Sequence, residues 1–365
     1  MAKILVGLSG GVDSSVAAGL LVREGHEVVG AYMKNWINEE NILGHCPWKE
    51  DIEDARAVAD ALGIEFRIVN LMKEYRERVV KYLLDGYTSG ITPNPDCMCN
   101  REMKFGVFLD YALAAGFEFV ATGHYARVDH SGAVSRVFRG MDPNKDQTYF
   151  LALMRQEQVK HALFPIGEME KPRVRELAAE FSLPTASKKD SQGICFIGEV
   201  KMQDFLDNFV EERPGRIVNT DGKVLGEHRG LHLFTLGQRR GIGVASNTFK
   251  EAFVVVDKRG ETNELVVAFD RPDSPLLYAT ECILSGLSFT GHEIPEARTI
   301  HAQPRYRTEA PLADFEPTGG GGARLVYHAP QRALTPGQIC AFYDRDELLG
   351  GAIFERIAHP EHVLA

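Results

Sequence analysis

The feature that most limits what this chain can fold into is a run of small residues near its start, Gly7-Leu8-Ser9-Gly10-Gly11-Val12-Asp13-Ser14-Ser15. It lies between an apolar stretch, Lys3–Leu8, that reads as a buried strand, and Ser14–Glu24, that reads as a helix stopped by Gly25. A strand that turns into a helix through small residues opens an α/β sheet domain. Glycines in such a turn let backbone N–H groups converge on an anion, and the helix N-terminus adds partial positive charge. The hydroxyls of Ser9, Ser14 and Ser15 add donors. Asp13 is the odd member, because a carboxylate repels phosphate unless a cation intervenes, so Mg²⁺ is expected beside it. The run has neither the Gly-Lys-Ser/Thr of a Walker A loop nor the G-x-G-x-x-G spacing of a dinucleotide fold.

The alternation continues downstream. Val28–Tyr32 reads as a strand, Asp51–Leu62 as a helix closed by Gly63, Glu65–Asn70 as a strand and Lys73–Leu84 as a helix. Asn100–Ala115 reads as a further helix ending at Gly116, followed by a strand at Glu118–Ala121. Such β-α-β order implies a parallel sheet covered by helices. Residues 147–205 read mostly helical, broken at Pro165, Pro172 and Pro184. From Pro214 onward short alternating runs between Gly, Pro, Asp and Asn give an all-β signature, with Asp221-Gly222 as a hairpin turn and Gly319–Gly322 as a loop tip. The expectation is an α/β N-terminal domain over residues 1–205, a small β-rich central domain over 206–277 and a C-terminal β-barrel over 278–365.

A net charge of −10 argues only weakly against nucleic acid, since a polyanion is bound by a local basic face. Arg101, Lys104, Lys145, Lys188, Lys189, Arg239, Arg240, Arg305 and Arg307 are expected to form one. No run approaches the ~20 apolar residues of a membrane helix, and the N-terminus turns polar too early for a signal peptide. A cytoplasmic protein with no membrane partner is expected. Six cysteines are too few for a disulfide scaffold at this length. Cys46, Cys282 and Cys340 read as buried apolar thiols. Cys99 reads differently: Pro95 constrains the loop before it, Asp96 or Asn100 is placed to cap the following helix, and Arg101 and Lys104 are near. A thiol at a helix N-terminus among cations has a lowered pKa. Cys195 sits after Gly193, beyond Lys188-Lys189. Cys97, Cys99 and Cys195 with Asp96 are also a donor set for zinc or an iron–sulfur cluster.

The Ser-Gly-Gly-x-Asp-Ser loop resembles the pyrophosphate loop of the ATP pyrophosphatase (PP-loop) superfamily. Further blocks are Asn94-Pro95-Asp96-Cys97-Met98-Cys99, Ala121-Thr122-Gly123-His124-Tyr125, Asn144-Lys145-Asp146-Gln147-Thr148-Tyr149-Phe150 and Gly193-Ile194-Cys195. Leu236-Gly237-Gln238-Arg239-Arg240-Gly241, Arg305-Tyr306-Arg307 and Thr335-Pro336-Gly337-Gln338 complete the set. In this order they resemble the bacterial tRNA-specific 2-thiouridylase family over essentially the whole chain. The resemblance implies a first domain of the adenine nucleotide hydrolase-like type and a tRNA-uridine 2-sulfurtransferase activity. ATP would be held by Gly7, Leu8, Ser9, Gly10, Gly11, Val12, Asp13, Ser14, Met33 and Gly123. tRNA would be contacted by Asn94, Pro95, Asp96, Lys145, Asp146, Gln147, Arg305 and Tyr306, and catalysis would rest on Cys99, Cys195 and Asp96. It implies adenylation of O2 of the wobble uridine in tRNAs for Lys, Glu and Gln, then sulfur transfer from a persulfide on Cys195 with a transient Cys99–Cys195 disulfide. ATP and Mg²⁺ would be the cofactors, with an iron–sulfur cluster as an alternative, and a cysteine desulfurase or relay protein would donate sulfur. Cys97 stands where the family needs no thiol and reads as a bystander. The alternative is another PP-loop synthetase or ligase acting on a small metabolite, which needs no pair of thiols.

Overall fold

A computed structural model describes residues 1–36, 48–189, 202–245 and 251–359. The apolar runs of the first half form five parallel strands: β1 (Lys3–Gly7), β2 (Glu27–Lys34), β3 (Glu65–Asn70), β4 (Phe119–Ala121) and, after a hairpin of β5 (Ala126–Asp129) and β6 (Arg136–Arg139), β7 (Ala162–Leu163). Their order is β3-β2-β1-β4-β7. Because strand side chains alternate, each strand feeds two cores. Ile4, Val6, Val28 and Tyr32 pack on one face with α1 (Val12–Arg23), α2 (Trp48–Leu62) and the Lys171–Glu180 helix. Leu5, Val29, Ala31 and Met33 pack on the other with helices spanning residues 72–88 and 95–114. Each of those two helices contains a wider π-type stretch, at Arg76–Val80 and Asn100–Val107.

Two local expectations are corrected. The helix expected from Asn100 begins at Pro95, because Asn94 Oδ1 accepts the Cys97 N–H at 3.1 Å and proline's missing N–H fits the first helical position. Neither Asp96 nor Asn100 is the cap. Residues 147–205 are also less helical than expected: a single turn at Thr148–Leu151, the short Gln156–Val159 helix, edge strand β7, and helices only at Lys171–Glu180 and Met202–Phe209 among the described residues.

The central sheet joins β8 (Gly215–Asn219), β9 (Val224–His228), β10 (Phe253–Arg259) and β11 (Glu264–Phe269) in the order β10-β11-β8-β9. Asp221-Gly222 turns β8 into β9 as expected, with Gly222 at φ 82°. The last unit has β12 (Tyr278–Phe289), β13 (Arg298–Gln303), β14 (Leu312–Gly319), β15 (Gly322–Arg332), β16 (Ile339–Asp344) and β17 (Glu347–Ala358). Their order is β12-β15-β14-β13-β16-β17, and pairing of β12 with β17 closes a six-stranded barrel. Closure removes the edges that would invite strand addition. β6 pairs with the start of β17, so the hairpin of the α/β unit is sewn to the barrel. The core on the Leu5 face also takes in Ile339, Ala341, Tyr343 and Leu348, so the two units share one apolar interior. Polar contacts follow the same boundary: Tyr149 OH donates to Ile339 O at 2.8 Å, and the Ser288 hydroxyl to Leu153 O at 2.8 Å.

Candidate active site

In an open parallel sheet, ligands bind beyond the strand C-termini where the strand order reverses. Here that point lies between β1 and β4. The loop after β1 is Leu8–Gly11, and the loop after β4 is Thr122-Gly123-His124. Gly10 sits at φ 76°, and a Cβ there would stand 2.6 Å from the Asp51 carbonyl oxygen, so the turn requires glycine. Gly123 is pressed against the start of α1: its Cβ would lie 2.6 Å from Asp13 C and Ser14 N. Met33 Cε would be 3.2 Å from a Cβ on Gly7, which puts Met33 under the same edge.

The N-cap of α1 is Gly11, and no side chain caps it. The serine hydroxyls turn back on the loop instead. Ser9 N–H donates to Ser14 Oγ at 3.2 Å, Ser15 Oγ donates to Gly11 O at 2.7 Å, and Thr185 Oγ1 donates to Ser15 Oγ at 3.0 Å. A twelve-residue helix thus presents its N-terminus to the crevice through a glycine turn held open by hydroxyls, the arrangement that suits a polyphosphate.

Asp13 has protein partners that the sequence did not mark. Its carboxylate is met by Lys171 Nζ at 2.8 and 3.0 Å and by the Tyr125 hydroxyl at 2.9 Å. Lys171 thus balances its charge. No sequence signal marked Lys171, which stands 158 residues away in the chain and reaches the loop through the packing of its helix on α1. His124 is buried, which holds its pKa well below the ordinary imidazole value, and the Lys104 ammonium pushes the same way. Its Nδ1 shares a hydrogen bond with Thr122 Oγ1 at 2.7 Å, and Nε2 faces Lys104 Nζ at 3.5 Å.

Lys104 ties this edge to the cysteine helix. Cys99 lies five residues earlier on the same helix, roughly 7–8 Å along the axis. It is 1% exposed, and as the fifth residue of the helix it lies past the first turn, where the macrodipole acts most strongly. Of the expected cations, Arg101 bonds Glu102 at 2.8 Å, and Lys104 Nζ lies 3.5 Å from His124 Nε2. Cys97 is wholly buried. Burial, with Asp96 adding to it, pushes its thiol well above the ordinary range, and the thiol donates to Tyr149 O at 3.6 Å. Cys282 and Cys340 are buried as expected, Cys340 being pushed up to about 12 by burial. Cys46 and Cys195 lie outside the described residues. Among the described residues no group of three or more His, Cys, Asp or Glu is placed to hold a metal ion.

The residues expected at tRNA fall into two sets. Asn94, Pro95 and Asp96 form the first turn of the Cys99 helix. In the second set, the Asp146 carboxylate accepts from Arg139 at 2.7 Å, Gly140 N at 3.1 Å and Thr148 Oγ1 at 2.9 Å, and Gln147 Oε1 accepts from Tyr125 N at 3.1 Å. These two side chains therefore hold the loop around Lys145 in shape. Arg305 donates to Ala333 O at 3.1 Å and Thr335 Oγ1 at 3.2 Å, while the Tyr306 ring packs 4.3 Å from that of Phe150. Of the expected basic face, Lys188 is committed to Asp51 and Asp54 of α2. Gly237, in the Leu236–Gly241 block, abuts Arg332 and Arg305. Arg239 and Arg332, the latter unmarked by sequence, share Asp270 at 3.1 and 3.0 Å. Arginines thus gather where the three units meet.

Comparison with known families fits this three-part architecture. Residues 2–199 match a model described as the tRNA methyl transferase HUP domain, residues 203–269 a tRNA methyl transferase PRC-barrel domain, and residues 279–354 an aminomethyltransferase beta-barrel domain. The tRNA-specific 2-thiouridylase MnmA of Akkermansia muciniphila is 58% identical over 98% of this chain and 99% of its own. That of Neisseria gonorrhoeae is 46% identical over 98% and 96%. A solved 4-thiouridine synthetase–RNA complex with bound ATP is 20% identical, covers 55% of this chain and 46% of its own, and has a TM-score of 0.39, too low to carry an argument. The class is thus a HUP-type α/β domain followed by a small β domain and a closed six-stranded β-barrel. Within it, the chain belongs to the tRNA-specific 2-thiouridylase family.

Proposed function

We propose that this chain uses ATP to replace the C2 oxygen of the wobble uridine with sulfur in tRNAs for Lys, Glu and Gln. The observation that carries this is the uncapped glycine turn at the start of α1, on the sheet edge that Lys104 connects to the Cys99 helix. Uracil C2 is a poor electrophile and its oxygen a poor leaving group. Transfer of AMP to O2 makes that oxygen a phosphate-ester leaving group, and the N–H groups after Gly10 stabilise the departing pyrophosphate. Mg²⁺ would lie between Asp13 and the phosphates, with Lys171 and the Tyr125 hydroxyl holding the carboxylate in place. Met33 and Gly123 flank the adenosine. Asn94, Pro95 and Asp96 face the target base, whose single-stranded anticodon position lets it splay into a pocket. Because Cys99 is buried, the pocket opens to admit it.

The sulfur step uses two thiols. The Cys99 thiolate attacks the inner sulfur of a persulfide on Cys195; the S–S bond breaks, a Cys99–Cys195 disulfide forms and hydrosulfide leaves. Hydrosulfide adds to C2, AMP departs, and an external thiol reduces the disulfide. Cys97, kept protonated by burial, takes no part. No iron–sulfur cluster is needed for this sequence. A cysteine desulfurase or relay protein loads Cys195, and the enzyme works in the cytoplasm; among the described residues no helix is long and apolar enough to cross a membrane. Residues 1–205 do the chemistry and 278–365 grip tRNA through Arg305 and Tyr306, with 206–277 as the β-rich domain between them and Lys145, Asp146 and Gln147 contributing from the first unit.

Mass spectrometry of unmodified tRNA incubated with ATP, Mg²⁺ and a sulfide source tests this. A sulfur-for-oxygen gain at the wobble uridine is expected, lost in Cys99→Ser. A methyl gain, as the family model's description would suggest, or no change in the tRNA would reject it.

A further inference from the structure

The helix that carries Cys99 does not wind evenly. Over Asn100–Val107 its ladder slips to hydrogen bonds that span five residues, and at the end of the stretch the Phe108 N–H donates to Met103 O. A Cβ on Gly106 would stand 2.8 Å from Arg101 O, so a side chain there would push that carbonyl away. Where a helical ladder slips, a side chain from elsewhere can insert and take up the freed carbonyls. Gln158 is placed to do this. Its Nε2 donates to Arg101 O at 2.7 Å and to Phe105 O at 2.8 Å, so both carboxamide hydrogens are committed to the widened turn. Its Oε1 accepts the Arg155 N–H at 3.0 Å, which fixes the carboxamide against the start of its own short helix, Gln156–Val159.

We propose that Gln158 is a positioning residue for Lys104, acting by holding the five-residue winding of the Cys99 helix. In an α-helix, residues five apart stand about 140° apart around the axis. A wider turn brings the fifth residue back toward the side of the first. Lys104 is the fifth residue after Cys99, and its Nζ lies 3.5 Å from His124 Nε2, beside the loop whose Gly123 abuts Asp13 and Ser14. One helix thereby carries both a thiol and an ammonium toward the same crevice. If the stretch relaxed to four-residue winding, Lys104 would swing away from the nucleotide edge, while Cys99, which precedes the slip, would stay. An ammonium moved off the place where charge develops on phosphate loses its stabilising effect, and misplacements of an ångström cost up to ~100-fold in rate.

The proposal rests on the sulfur-transfer reading, and its test separates the two. Single-turnover thiolation at saturating tRNA and ATP is compared for wild type, Gln158→Glu, Gln158→Met, Lys104→Met and the double variant Gln158→Glu/Lys104→Met. Glutamate keeps the acceptor for the Arg155 N–H and sets a carboxylate against two carbonyls; methionine keeps only length and packing. Gln156→Met is the matched control, since Gln156 sits on the same short helix and its Nε2 also donates to two carbonyls, Ser135 O and Thr290 O, both away from the Cys99 helix. Both Gln158 variants should be about tenfold slower than wild type, and Gln156→Met within about twofold of it. In the Lys104→Met background the Gln158 change should add no further slowing, because the group it positions is gone. In parallel, hydrogen exchange at the amides of residues 104–108 should be several-fold faster in both Gln158 variants and unchanged in Gln156→Met. Gln158 or Lys104 variants at the wild-type rate overturn the proposal. So do effects that multiply in the double variant, or a Gln156→Met variant as impaired as the Gln158 ones, which would mean general loosening. If wild type transferred no sulfur, the functional reading would fail, while the exchange contrast would still report whether Gln158 holds the winding.

Discussion

Lys171→Met tests what holds the nucleotide loop in shape. Lys171 Nζ lies 2.8 and 3.0 Å from the two Asp13 oxygens, with side chains 11% and 31% exposed. Charge-assisted hydrogen bonds contribute about 1.5–3 kcal/mol net, and breaking a fully buried pair costs about 3–5 kcal/mol. Since Asp13 keeps nearly a third of its surface in water, the lower range applies, and Lys171→Met should cost about 2 kcal/mol. Asp13→Asn should cost less, because the Tyr125 hydroxyl still has an oxygen to donate to. In the double variant neither charge remains, so the two losses should not add; a coupling of about 1.5–2 kcal/mol is expected. A three-part chain is poorly suited to one global unfolding energy, so the assay is native-state hydrogen exchange at the amides of the first turns of α1. Lys171→Met should also weaken ATP binding more than the double variant does, since only the single variant leaves the Asp13 charge unbalanced beside phosphate. Coupling below about 0.5 kcal/mol, or equal ATP affinities, would refute the reasoning.

Three other outcomes follow from the site. Cys97→Ala should retain thiolation within about twofold while losing about 1–2 kcal/mol of stability from the small void it leaves; loss of activity with folding intact would make Cys97 a participant. His124 is neutral in the fold, so below its unfolded value of 6.5 only the unfolded chain takes up the proton, and stability falls with pH toward the lower folded value. Native-state hydrogen exchange at the amides flanking residue 124, compared for wild type and His124→Gln at pH 7.5 and 5.5, should show the wild type losing about 1.4 kcal/mol more of opening free energy, and parallel losses would contradict the assignment. Gly123→Ala drives a Cβ to within 2.6 Å of Asp13 C and Ser14 N, so calorimetry should show ATP affinity reduced about tenfold or more; unchanged affinity would mean the crevice is not where the nucleotide sits.

The parts of the fold that the sequence made legible are those with short-range chemistry. The glycine turn, the first strands and helices and the Asp221-Gly222 hairpin each depend on neighbours within a few residues. The β5–β6 hairpin, β13 and β14 were missed, because Ala126–Asp129 and Arg298–Gln303 carry only two apolar residues each and Leu312–Gly319 is interrupted by Pro317; they owe their form to pairing with β17, β16 and β15. Within the site, the residue types on the loop were readable, but their charge balance was not. Lys171 and Asp13 meet only through the packing of two helices, and Gln338 and Thr92 meet across 246 residues. The helix start illustrates the same limit: Asn94, Asp96 and Asn100 are all competent caps by type, and the proline at 95 settles which one serves.

Coupling between the α/β unit and the barrel follows from how β17 is shared. Its first residues, Glu347 and Leu348, pair with β6, and its later ones, from Gly350 on, pair with β12 to close the barrel. One strand is thus both the seam of the barrel and the attachment of the hairpin that precedes the Lys145 loop. Rotating the barrel against the sheet would break that ladder and open the interior in which Ile339, Ala341, Tyr343 and Leu348 pack with Leu5, Cys97 and Cys99. Packed interiors do not deform continuously, so a small rotation has no cheap intermediate. Arg305 on the barrel is therefore held at a fixed reach from the Cys99 helix, and on the proposed reading an RNA that touches both would meet that helix in one register. Specificity for a tRNA over a free uridine then needs no signal passed between domains, because a substrate too small to touch both places gains nothing from the second.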